Sequence, residues 1–130
     1  MIILDTDILI DLLRSNPSRL LWFEKEFQQG QTLSVSLVTK LELLRGCKNK
    51  SERKTVLDWL QSFQLIYISE EISQKTEELF EKYYPKQGIG ILDAIIAATA
   101  ISERAVLYTS NQKHFKGLPG LQLKGPDSLH

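Results

Sequence analysis

The first fourteen residues, MIILDTDILIDLLR, constrain this chain more than any other stretch. Met1-Ile2-Ile3-Leu4 is a short apolar run with β-branching and reads as a buried strand. Ile8, Leu9, Leu12 and Leu13 then fall on one face of an amphipathic helix. Asp5, Thr6 and Asp7 stand between the two. Asp5 therefore sits where a central strand ends and a helix begins, the edge at which open α/β sheets bind ligands. A carboxylate between apolar segments is costly unless it is paired, protonated or holding a cation. Capping is the plainer reading, because Asp is a good N-cap and Thr6 or Asp7 would serve as well. One helix needs one cap, however, so three cap-type residues in a row leave a carboxylate over.

Composition narrows the class. A chain of 130 residues is one domain by the usual prior, here residues 1–130. It is long enough to bury roughly two-thirds of its unfolded surface. Zero net charge removes any bulk electrostatic drive onto nucleic acid, though not a local basic patch. Cys47 is the only cysteine, which excludes an internal disulfide and a cysteine metal cluster. A reducing cytoplasm is the simplest compartment. Asp5, Asp7 and Asp11 crowd a beginning that has no basic leader, unlike a signal peptide. The longest apolar run, around Ile89–Ile101, contains Asp93 and is too short to cross a bilayer, so no membrane association is expected.

Further along, Asn16 and Pro17 start a second helix that runs to about Gln29. Thr32–Val35 reads as a short strand, and Ser36 or Thr39 opens a Leu-rich helix closed by Gly46. Thr39-Lys40-Leu41-Glu42 is a capping-box pattern, so Glu42 on its own reads as a cap partner. Ser51 is expected to cap the next helix, with Leu65–Ile68 as the third strand. Ser69 caps a longer helix, ended by Pro85. Gly88-Ile89-Gly90 reads as a flexible joint and lacks the context of a dinucleotide fingerprint. Ile91–Ile101 is apolar almost all round and predicts a deeply buried helix, with Asp93 its only charge and a candidate N-cap. Val106–Thr109 is the fourth strand, Ser110–Phe115 a polar turn, and Leu121–Leu123 a short edge strand. Pro126 onward reads as tail.

Strands separated by helices imply parallel pairing with right-handed crossovers. Strands one and four then send their ends to one edge, where Asp5, Asp93 and the Ser110-Asn111 turn converge and Glu42 approaches. Clustered carboxylates repel, and a hard cation such as Mg²⁺ or Mn²⁺ relieves that repulsion. Each acid has a bland alternative; three of them embedded in apolar sequence are harder to dismiss.

At these residues the chain resembles the PIN-domain nucleases of the VapC toxin class. The matching pieces are Ile3–Asp7, Ser36–Leu43 with Gly46, Asp93–Ala98, and Tyr108–Asn111 with Phe115, in order across the chain. The resemblance implies a three-layer α/β/α fold around a mainly parallel sheet of four to five strands. It implies a Mg²⁺- or Mn²⁺-dependent endoribonuclease that cuts structured RNA, often tRNA or rRNA, and leaves a 5′-phosphate and a 3′-hydroxyl. Asp5 and Asp93 match the principal metal ligands, and Glu42 the acid acting directly or through water. Thr6 and Thr109 match supporting hydroxyls, with Asp7 and Ser110 beside them. A homodimer and a VapB-type antitoxin, assembled into a toxin–antitoxin complex, are the implied partners.

The departure is Asn111, which stands where the family commonly has a fourth acid just after the fourth strand. Asn ligates only through a neutral carbonyl oxygen; Asp7 is the candidate to compensate. A phosphoacceptor receiver domain fits poorly, because Ser69 follows strand three where an acceptor Asp is needed. A non-catalytic PIN-like module binding RNA or a partner protein is the alternative. Arg45, Lys48, Lys50, Arg53 and Lys54, with Lys113, His114 and Lys116, form either a solvated surface or an RNA-binding rim.

Overall fold

The computed structural model describes residues 1–126, so the last four tail residues, Asp127 among them, lie outside the description. Five strands are formed: β1 (Ile2–Leu4), β2 (Leu33–Ser36), β3 (Gln64–Ile66), β4 (Val106–Tyr108) and β5 (Gln122–Lys124). They make one all-parallel sheet in the order β3-β2-β1-β4-β5. The helices are α1 (Thr6–Leu13), α2 (Pro17–Gln28), α3 (Leu37–Arg45), α4 (Lys50–Leu60), α5 (Glu70–Gln87), α6 (Ile91–Ser102) and the short α7 (Gln112–Phe115).

Strand alternation divides the core in two. Ile2 and Leu4 of β1 join Ile8, Leu9, Trp22 and Leu43 on the face covered by α1–α4. Ile3 joins Ile72, Leu79, Ala97 and Leu107 on the face covered by α5 and α6. Both faces are covered, which gives the expected α/β/α layering. It also explains why Ser34 and Ser36 are buried along with Leu33 and Val35, with which they alternate. Chain order moves outward from β1 to β3 and then jumps to β4 on the other side of β1. The switch point therefore lies between β1 and β4.

Several boundaries differ from the sequence reading. The strands β2, β3 and β5 are displaced by one or two positions, and Tyr67 and Ile68 are exposed beyond the sheet. Asn49, not Ser51, caps α4 by accepting from the Glu52 N–H. Pro85 does not end α5. It lies in the last turn, where few backbone bonds remain to lose, and Gly88 closes the helix with φ +66°. The Gly88–Gly90 segment is anchored rather than loose, since Ile89 is buried and Gly90 caps α6. Helix α6 is less enclosed than its sequence suggests, because Ile91 and Leu92 of its first turn are exposed. The polar turn after β4 coils into α7. Among the described residues, no helix is long and apolar enough to cross a membrane.

Candidate active site

Asp5 extends β1 by one residue. Its N–H donates to the Tyr108 carbonyl at 3.0 Å, so the sheet's own ladder fixes its position. It is also the N-cap of α1, with Oδ1 accepting from the Thr6 N–H at 2.8 Å. Oδ2 accepts from the Thr109 hydroxyl at 2.8 Å, from the end of β4. The sequence posed capping and a functional carboxylate as alternatives, and the geometry lets one residue meet both descriptions. Asp5 is only 6% exposed. Burial, then the charge of Asp7, push its pKa from 3.8 up to about 6 against the two hydrogen bonds, and Asp93 adds to the rise.

Glu42 is not a capping-box partner. Ser36 caps α3 through the Thr39 N–H, and the Glu42 Oε1 instead accepts from the Thr6 hydroxyl at 2.8 Å. Asp93 is not a cap either: Gly90 holds that place, and Asp93 sits in the first turn of α6. Its Oδ2 lies 3.4 Å from His114 Nδ1, which brings His114 into the acid cluster rather than out on the basic rim. Burial raises the Asp93 carboxyl above the usual range; His114 opposes this, while Glu42 and Asp7 add to it. Asp5, Asp7, Glu42 and Asp93 thus share one electrostatic field.

Asp7 is committed to donors. Oδ1 accepts from the Ile8 N–H, while Oδ2 accepts from the Ser110 N–H at 3.0 Å, from the Ser110 hydroxyl and from the Asn111 amide at 3.4 Å. Asn111 therefore turns its nitrogen to Asp7, and its backbone N–H donates to the Thr109 hydroxyl oxygen. Gly125 packs tightly behind this turn, where a Cβ would lie 2.5 Å from the Thr109 carbonyl.

Arg45, Lys48, Lys50, Arg53 and Lys54 are all exposed, from the end of α3 through the connection into α4. A groove of about 600 Å³ runs beside these helices, lined by Glu42, Cys47 and Val56, and the cation that lines it is Arg14 rather than any of these five. Lys113 and His114 line a smaller cleft of about 180 Å³ with Gly90 and Asp93, and Lys116 is exposed just beyond. Arg14 thus shares a groove with Glu42, and Lys113 a cleft with Asp93.

The PIN-domain family model matches residues 2–121. This chain belongs to the PIN-domain family. Ribonuclease VapC19 of Mycobacterium tuberculosis is 31% identical over 121 residues, covering 92% of this chain and 96% of that protein. Ribonuclease VapC1 of Methanocaldococcus jannaschii is 30% identical over 125 residues, covering 95% and 85%. Among solved structures, VapBC2 from Rickettsia felis, bound to a promoter DNA fragment, matches with a TM-score of 0.83 and 30% identity over 96% of this chain and 98% of that one. A toxin–antitoxin complex from Klebsiella pneumoniae matches with a TM-score of 0.75 and 31% identity, covering 93% and 95%.

The acids of this PIN domain do not close into a cage. Among the described residues, no three His, Cys, Asp or Glu side chains stand ready to hold an ion by themselves. Like charges repel, and each acid is held by its own neighbour: Thr109 for Asp5, Thr6 for Glu42, His114 for Asp93. An open, oxygen-only donor set, in which burial raises the Asp5 and Asp93 carboxyls, still suits Mg²⁺ or Mn²⁺. Mg²⁺ commonly uses one or two carboxylates, several waters and substrate phosphate rather than an all-protein cage.

Ser36 and Thr39 were legible only as alternative caps. Their spacing with Glu42, three residues at a time, is the signal that puts all three on one face of α3.

Proposed function

We propose that this chain is a VapC-type endoribonuclease toxin, hydrolysing phosphodiester bonds of structured RNA such as tRNA or rRNA with Mg²⁺ or Mn²⁺. The observation that carries the reading is the gathering of Asp5, Glu42 and Asp93 at the β1/β4 switch point with their charges coupled. Asp5 and Asp93 would hold the ion, with Glu42 acting directly or through water. Bound there, the ion eases deprotonation of water and neutralises charge on the phosphoryl oxygens.

The chain's own groups do the rest. Thr109 and Thr6 hold Asp5 and Glu42 in place by donating to them, leaving lone pairs on each carboxylate for further ligands. Arg14 beside Glu42 and Lys113 beside Asp93 offset the repulsion between acids and RNA phosphates. A VapB-type antitoxin is the proposed partner, supported by the toxin–antitoxin complexes among the structural matches. A homodimer is proposed with it, and exposed Leu41, Ile91 and Leu92 beside Glu42 and Asp93 favour a covering chain.

The test is cleavage of a structured RNA pool by antitoxin-free protein with Mg²⁺, with Mn²⁺ and with chelator, beside Asp5→Asn and Asp93→Asn. Metal-dependent cuts bearing 5′-phosphates, reduced about 10³-fold or more in both variants, are expected. Folded protein that neither cleaves RNA nor binds a divalent cation would instead be a binding module.

A further inference from the structure

We propose that Ser36 and Thr39 are positioning residues for Glu42, acting through Thr6 as a one-way chain of hydrogen bonds. The inference rests on the nuclease reading only for what Glu42 does, not for the chain itself. An ionised carboxylate accepts hydrogen bonds and donates none. The 2.8 Å bond between Thr6 Oγ1 and Glu42 Oε1 is therefore donated by Thr6. A hydroxyl has one proton, so the 3.1 Å contact between Thr6 and Thr39 must be donated by Thr39. The same count makes Ser36 the donor across its 3.2 Å contact with Thr39 Oγ1. Ser36 Oγ accepts in turn from the Thr39 N–H at 3.1 Å, in the first turn of α3.

Every proton in the chain thus points toward Glu42. Its origin is a backbone N–H at the positive end of a helix, and such chains polarise in concert. Ser36 is 1% exposed and Thr39 0%, so water does not compete for these hydroxyls. Capping alone explains the Ser36 bond to the Thr39 N–H. It does not call for a hydroxyl on Thr39, where valine would fill the same space, nor for the link to Thr6.

Thr39→Val keeps the cap and the packing but cuts the chain, while Thr39→Ser restores the hydroxyl. In chelated protein, Glu42 side-chain carbon NMR should show one ordered conformer in the wild type and in Thr39→Ser. In Thr39→Val it should show rotamer averaging. With RNA and Mg²⁺, Thr39→Val should lower kcat about tenfold at unchanged KM, and Thr39→Ser should stay within about twofold of wild type. An ordered Glu42 in Thr39→Val overturns the proposal whatever the activity. If the wild type proves inactive, the nuclease reading fails while the NMR arm still decides this one. Should Thr39→Val not fold, wild-type protein suffices. The proposal requires a slowly exchanging Thr39 hydroxyl proton with a cross-peak to Thr6; its absence, or a cross-peak only to Ser36, overturns it.

Discussion

Asp5 and Asp93 act on each other electrostatically from different layers of the fold, the sheet and a helix, in contrasting surroundings. Asp5 ends the central strand, is 6% exposed, and has a hydrogen-bond donor on each oxygen. Asp93 rides the first turn of a helix, has a side chain 30% exposed, and faces His114, itself 60% exposed. The strand-end acid is held by the sheet and resists ionisation because it is dry. The helix-borne acid is wetter, and its partner sits on the separate short helix α7. One side of the site is thus rigid and electrostatically strained, the other adjustable and screened.

The largest expected effect tests the strain at Asp5. Its folded pKa of about 6 lies above the ordinary 3.8, so its contribution to stability is whole below about pH 4 and is lost as pH rises through about 6. In chelator, Asp5→Asn should therefore gain up to about 3 kcal/mol of unfolding free energy near pH 7 and nothing below about pH 4. Urea unfolding at the two pH values decides this. A change of the same size at both would mean that lost hydrogen bonds, not removed charge, dominate.

Next in size is Thr109→Val, which takes away the donor to Asp5 Oδ2 and the acceptor for the Asn111 N–H. It should cost about 1–3 kcal/mol near pH 7 and push the Asp5 carboxyl still higher. The loss should shrink in the Asp5→Asn background, and a double-mutant cycle measures that coupling. Simple additivity would mean that the two side chains act apart.

The smallest effect belongs to the open side. His114→Ala should change stability by no more than about 0.5 kcal/mol, since the pair is exposed and screened. It should nonetheless raise the Asp93 carboxyl, because His114 is what holds it down. Carboxyl-carbon NMR titration of Asp93 reads this directly, and an unmoved or lowered titration would show that His114 is a bystander.

Much of this was legible along the chain. Apolar Ile2–Leu4 running into Asp5 located the central strand and the acid at its end. Asn16-Pro17 and Ser69 marked helix starts, and the helix between each pair of strands implied the parallel sheet. Pro85 misled because a rule about helix interiors was applied to a last turn. Glu42 and Asp93 read as caps because cap patterns concern residues three or four apart.

The sequence by itself determined the order of elements, the layers and the edge where the acids gather, since periodicity and chain-end chemistry are local. Only the tertiary structure decided what each acid touches. Thr109 reaches Asp5 across 104 residues, Ser110 reaches Asp7 across 103, and Thr6 reaches Glu42 across 36. Such contacts follow from which strands pair and how helices cross over them, and no local rule contains that information.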